Sequence, residues 1–173
     1  MLKTKKFWII VSFACVLLIM GTLLKSSSQT YDEQSLVPMM DKVLAGKPFE
    51  GALSHVSFMY AGEEVSISNL GYSKFLEFFI RKGAHFMTYF VMGAGLFAGI
   101  YLLKGRKRLA FLVALLVPLL FAASDEIHQH FTGGRTPLVQ DVILDFCGAT
   151  VGTLICFWLF RHFKKRKNNR RTA

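Results

Sequence analysis

Acidic residues are few: 11 against 21 Lys and Arg in a chain of 173 residues. They are also confined. None precedes Asp32, none falls between Leu103 and Leu109, and none follows Asp145. Cysteine is scarce too, and Cys15, Cys147 and Cys156 all lie in apolar stretches. Cys147 and Cys156 stand nine residues apart on one expected helix and cannot pair. Neither a disulfide nor a thiolate zinc site is expected. No HExxH-type signature occurs, which weakens any metal reading. No internal repeat is evident.

What the chain does have is apolar length. It is 53% hydrophobic with 17 Phe and a mean hydropathy of +0.40. A soluble domain is rarely so apolar. Four blocks, about Phe7–Leu24, Gly83–Leu103, Leu109–Ser124 and Asp141–Phe160, each approach the roughly 20 residues that span a bilayer. The third is short unless it continues through Asp125 to His128. The first follows Lys3, Lys5 and Lys6 as a signal peptide would, but Gly21-Thr22-Leu23-Leu24-Lys25 offers no small-x-small cleavage site, so it is expected to stay as a span. The fold class is therefore an all-α integral membrane protein. It is a four-transmembrane-helix bundle with a small extracytoplasmic segment between the first and second spans.

Charge sets the orientation. With the N-terminus inside, 14 of the 21 basic residues fall on the inner side with no acid beside them. All 11 acids then face outward. Excess Lys and Arg mark cytoplasmic loops. Both termini are expected in the cytoplasm, at the plasma membrane. The net charge of +10 then reflects topology and attraction to lipid headgroups, and nucleic acid is rejected as a partner. Residues 1–25 form the first span with its basic start, and 26–82 an extracytoplasmic segment ending in an interfacial helix. Residues 83–160 form a core of three spans, and 161–173 a basic cytoplasmic tail.

Within the outer segment, Leu36–Ala45 reads as a short helix broken at Gly46 and Pro48. Val56, Phe58 and Tyr60, then Val65 and Ile67, alternate across Ala61-Gly62-Glu63-Glu64 as a weak hairpin signal. Lys74–Lys82 reads as an amphipathic helix whose Phe75, Phe78 and Phe79 can rest on the bilayer. Lys104-Gly105-Arg106-Lys107-Arg108 is a short link that makes the second and third spans antiparallel neighbours. Gly133, Gly134 and Pro137 break the helix before the fourth span. Gly95 and Gly99, and Gly148 and Gly152, are small-xxx-small pairs suited to close helix packing.

The chemistry gathers at the outer membrane edge. Asp125 shares a helix face with His128 and Gln129, and Glu126 one with His130. Lys82, His85 and Tyr89 make a stripe on the second span. Asp141, Asp145, Gly148 and Gly152 make one on the fourth. Converging, these faces form an outward-facing polar pocket roofed by Arg135. Ionisable groups at bilayer depth usually mark a site. Three chemistries compete. Arg135 with Lys82 and Arg81 suits an anion, held in geometry by Asp141 or Asp145. His85 or His128, oriented by Asp125 or Asp145, suits a base or a phosphoryl acceptor. His128, Asp125, Glu126 or His85 suits zinc, manganese or magnesium. The bland alternative is a structural salt-bridge network. For Tyr89 it is an aromatic interface or hydrogen-bonded core residue, and for His130 an interfacial one.

The run Arg81-Lys82-Gly83-Ala84-His85-Phe86 with Tyr89, then Ser124-Asp125-Glu126-Ile127-His128-Gln129-His130-Phe131, then Gly134-Arg135, then Asp141, Asp145 and Gly148 resembles the VanZ-like family. The resemblance covers roughly Phe58 to Phe160. At Asp145 the family pattern often has Asn, so a carboxylate there changes the charge balance. The resemblance implies a link to low-level resistance to the lipoglycopeptide teicoplanin, without a molecular mechanism, and names no cofactor. It points to Lys82, His85, Tyr89, Asp125, Glu126, Gln129, Arg135, Asp141 and Asp145 as functional positions. Two expectations follow. In the first, Lys82, Tyr89, Gln129, Arg135, Asp141 and Asp145 bind an anionic headgroup from a membrane lipid, a lipid-linked wall precursor or a glycopeptide antibiotic. In the second, His85, His128, Asp125 and Glu126 catalyse phosphoryl transfer on a lipid-linked substrate. A transporter would need a homo-oligomer, since four spans are few.

Overall fold

The computed structural model describes residues 2–133 and 138–172. The chain runs through α1 (Leu2–Ser27), α2 (Tyr31–Gln34), α3 (Val37–Val43), α4 (Glu50–Leu53), β1 (Ser57–Tyr60), β2 (Glu63–Ser66), α5 (Ile67–Leu70), α6 (Tyr72–Lys104), α7 (Lys107–Gly133) and α8 (Val139–Thr172). Among the described residues four helices are long and apolar enough to cross a membrane: Lys3–Ser27, Tyr72–Lys104, Lys107–Phe131 and Val139–Phe163. The protein is a multi-pass helical membrane protein. The third span does continue through Asp125 to His128, which gives it its length.

Helix α6 is the hub, packing against α8, α1 and α7. Helices α6 and α8 run parallel and very close. A Cβ at Gly148 would collide with the Phe86 carbonyl, one at Gly152 with the Phe90 carbonyl, and one at Gly93 with the Ala149 carbonyl. Gly95 and Gly99 instead face α1, where Val16, Ser12 and Phe13 approach. Both small-residue pairs thus serve close packing, each toward a different neighbour. Toward the Lys104 end of α6, Phe97 is fully buried, ringed by Tyr101, Phe111, Phe157 and Phe160 at centroid distances of 4.9 to 6.4 Å. Phe7, Trp8, Ile10, Leu17 and Leu18 of α1 are exposed, as lipid-facing side chains are. Such exposure carries no hydrophobic penalty in hydrocarbon.

Two boundaries differ from the sequence expectation. The interfacial helix over 74–82 is not a separate element lying on the bilayer. It is the first part of α6, 33 residues long. That is about 50 Å at 1.5 Å per residue, against a hydrocarbon core of about 30 Å. Nothing breaks the helix at Gly83, so residues 72–82 continue the helix of the span without interruption. Phe75 is completely buried there rather than spread on lipid. Similarly, α8 runs on through the basic tail to Thr172, since Lys and Arg are good helix formers.

The N-terminal end of α6 is the platform on which residues 28–71 fold. The Tyr72 hydroxyl donates to the Pro48 carbonyl at 2.8 Å, and Ser73 donates to Asp41. The Leu36 amide donates to Glu77 Oε1 at 2.6 Å. Thr30 and Glu33 form a capping box on α2, and the amide bonded to Glu33 holds its carboxyl below the usual range. The hairpin exists, antiparallel, with Phe58 opposite Val65 and Tyr60 opposite Glu63. Ala61 and Gly62 at its turn have φ of 53° and 88°, the positive values a tight two-residue turn requires. Ile67 is not in the strand but starts α5, because Ser66 caps that helix by accepting the Asn69 amide. Phe58 packs edge-on against Phe78 and Phe79 at 6.0 Å, which clamps the hairpin to α6.

Candidate functional site

Successive turns of α6 and α8 meet in matched pairs. Lys82 Nζ reaches both oxygens of Asp141, at 2.5 and 2.6 Å. One turn deeper, His85 Nδ1 lies 3.6 Å from Asp145 Oδ2. One turn deeper again, Tyr89 is fully buried. The two polar stripes read from sequence thus face each other, and the glycine–carbonyl contacts directly below hold them at that distance.

The hairpin completes the outermost pair. Tyr60 donates its hydroxyl to Asp141. Lys82 Nζ stands 4.9 Å above the Tyr60 ring and 5.5 Å from that of Phe78. Burial, with the adjacent Asp141 carboxylate second, pushes the Tyr60 phenol well above its ordinary value, so it stays a donor. Asp141 is therefore satisfied by an ammonium and a phenol together.

Helix α7 supplies the third wall. Gln129 donates to Asp125 Oδ2 at 3.0 Å. The Leu138 amide donates to Glu126 Oε2 at 3.0 Å. Asp125 and Glu126 are 3% and 9% exposed, and Asp145 is 3% exposed. Among the described residues four buried oxygens have no hydrogen-bond partner: Tyr89 Oη, Asp125 Oδ1, Asp145 Oδ1 and, deeper in α8, Thr153 Oγ1. They come from three different helices, and Tyr89 feels the charge of both carboxylates. Burying a polar oxygen without a partner costs about 1–3 kcal/mol. Tyr89 Oη, Asp125 Oδ1 and Asp145 Oδ1 thus keep hydrogen-bonding capacity that a ligand or water can take up.

Lys82, Glu126, Gln129 and Asp141 open onto a cavity of about 530 Å³ between the hairpin and the neighbouring ends of α6, α7 and α8. His85, Tyr89, Asp125 and Asp145 form the layer beneath it. His128 turns elsewhere: its Nε2 lies 3.2 Å from Ser28 Oγ beyond the end of α1. His130 is exposed against Phe131. Tyr89 is a core residue whose hydroxyl has no hydrogen-bond partner among the described residues. Arg135, expected as the roof, lies outside the described residues. So does any pairing of it with Asp141 or Asp145, but Lys82 and His85 hold those two acids. Among the described residues no three His, Cys, Asp or Glu gather tightly enough to hold a metal ion.

Sequence reasoning missed Tyr60 and Glu77. Glu77 was findable: it is the one acid in α6, four residues from Ser73 and from Arg81, on the face that carries Tyr72 and Phe75 into the interior. Tyr60 gave no local signal, because its partner lies 81 residues away.

A model of the VanZ/LLP1 family matches residues 11–161. The chain belongs to the VanZ/LLP1 family. The match begins inside α1, so the first span is part of the family pattern, beyond the stretch from Phe58 to Phe160 that the motifs cover. Neither curated proteins nor solved structures give a match. The VanZ/LLP1 region therefore takes in the second and third spans whole, most of the first and fourth, the hairpin and the paired stripes of α6 and α8.

Proposed function

We propose that this VanZ/LLP1 protein binds the phosphate-bearing headgroup of a membrane lipid or lipid-linked wall precursor at the extracytoplasmic edge of the plasma membrane. One observation carries the reading: a cavity of about 530 Å³ at the end of three spans, walled by Lys74, Arg81 and Lys82 and by the aromatic rings of Tyr60 and Phe78. Lys and Arg suit phosphate. The outer position follows from the Lys and Arg excess on the opposite side. A role at the envelope also fits teicoplanin resistance, because that antibiotic carries a lipid anchor. The test is recovery of bound lipid. The intact protein, purified in mild detergent, should carry one headgroup class enriched over the membrane average. Gln129→Trp, which fills the cavity, should abolish the enrichment. Equal lipid profiles for both proteins would refute it.

A second reading has its own support. His85 faces the buried carboxylate of Asp145 at 3.6 Å, the pairing that orients a base or phosphoryl acceptor. With His85 acting, the protein is a phosphotransferase on a lipid-linked substrate. His128 lacks this support, since it lies against Ser28 away from the cavity. Lipid mass spectrometry of cells with intact protein or His85→Ala at matched levels decides: a species that changes only with intact His85 requires turnover.

A further inference from the structure

We infer that the headgroup in this cavity carries a cationic amine beside its phosphate, seated on Glu126. This deepens the headgroup reading above and rests on it. Five carboxylates line the cavity against only three cations, Lys74, Arg81 and Lys82. Adding the charge of Arg135 from the link between α7 and α8 still leaves the acids in excess. Lys82 is already committed to Asp141 by two short contacts. The layer beneath adds two more acids, Asp125 and Asp145, against one histidine. In the low dielectric near a membrane such an excess is a strong attraction for positive charge. A purely anionic headgroup would enter against that field.

Glu126 is the seat because of what surrounds it. It lines the cavity, is only 9% exposed, and accepts the Leu138 amide. Among the described residues no basic side chain lies within ion-pair distance of it. A buried carboxylate with no cation is costly unless a partner arrives. The walls suit a cation as well. The Tyr60 and Phe78 rings line the same cavity and already hold one ammonium near their faces. Lys74, which also lines the cavity, supplies a positive charge for the phosphate. The ligand class is thus a zwitterionic aminophosphate, lipid-anchored or free.

The test is binding by the full chain in detergent, read by native mass spectrometry. The probes are short-chain phosphatidylethanolamine, short-chain phosphatidylglycerol and soluble glycerophosphoethanolamine. Phosphatidylethanolamine should bind about tenfold more tightly than phosphatidylglycerol. Glu126→Gln, which keeps an acceptor for the Leu138 amide, should remove that preference by weakening phosphatidylethanolamine binding and strengthening phosphatidylglycerol binding. Glu63→Lys, at an exposed position where folding is not at stake, should shift preference toward phosphatidylglycerol. The soluble probe reports whether the lipid anchor is needed: competition by it assigns recognition to the headgroup alone. Equal or tighter binding of phosphatidylglycerol overturns the amine and leaves the headgroup reading standing. Binding of neither lipid overturns both.

Discussion

Gly152 lies so close to Phe90 that a β-carbon on the glycine would overlap the phenylalanine's backbone carbonyl. The same holds for Gly148 and Phe86. The obstacle is backbone, which cannot rotate away, so α8 must back off from α6. Gly152→Ala should therefore destabilise the bundle by about 1–3 kcal/mol. Gly21→Ala, where nothing lies within 4 Å, should be neutral or slightly stabilising. Thermal unfolding in one detergent compares the two. Equal midpoints would mean that α6 and α8 are not in contact.

Lys82 and Asp141 act as a unit. Replacing each by Ala, then both, should give a coupling energy of about 1 kcal/mol or more, because each single change strands a largely buried charge. Additive single effects would show that the pair contributes no interaction of its own.

Tyr60 sets a pH dependence at the alkaline end. Its phenol titrates near 10.0 when unperturbed and higher in the folded protein. A group with a raised folded value stabilises the fold fully below its unfolded value, and that contribution is lost as pH rises through the folded value. The gap in unfolding midpoint between the intact protein and Tyr60→Phe should hold steady from neutral pH to about 10 and narrow above it. A gap that widens instead reverses the sign and sinks the assignment.

The orientation can be read with two single-cysteine variants in a background lacking Cys15, Cys147 and Cys156. Ser54→Cys should react with a membrane-impermeant maleimide in intact cells. Lys104→Cys should react only after permeabilisation. The opposite pattern would invert the topology and place the cavity in the cytoplasm.

Deletion of the gene should raise teicoplanin sensitivity and overexpression lower it, measured as growth inhibition. If neither changes, the envelope role proposed for the cavity does not extend to this antibiotic.

Much of the frame was legible in the sequence because the bilayer enforces it. Spans must be long, apolar and helical. The stripes Lys82–His85–Tyr89 and Asp141–Asp145–Gly148–Gly152 follow from helical period alone. That they face each other is plausible from sequence, but which acid takes Lys82 is not: Asp141 and Asp145 were equally available, and Arg135 competed for both. Lys74–Lys82 is helical and leads into the second span, as its pattern predicts, but the pattern does not say that Phe75 is buried while Phe79 stays exposed. The hairpin signal was too weak to say that Phe58 would pack against Phe78 and Phe79. Contacts such as Ser28 with His128, 100 residues apart, carry no local trace.

The unbroken helix from Tyr72 to Lys104 has a mechanical consequence. It carries no proline, and it is one helix from end to end. Its N-terminal end holds the hairpin and its C-terminal third holds the Phe97 cluster. The two are therefore joined through a single hydrogen-bonded element, gripped between them by the glycines of α8.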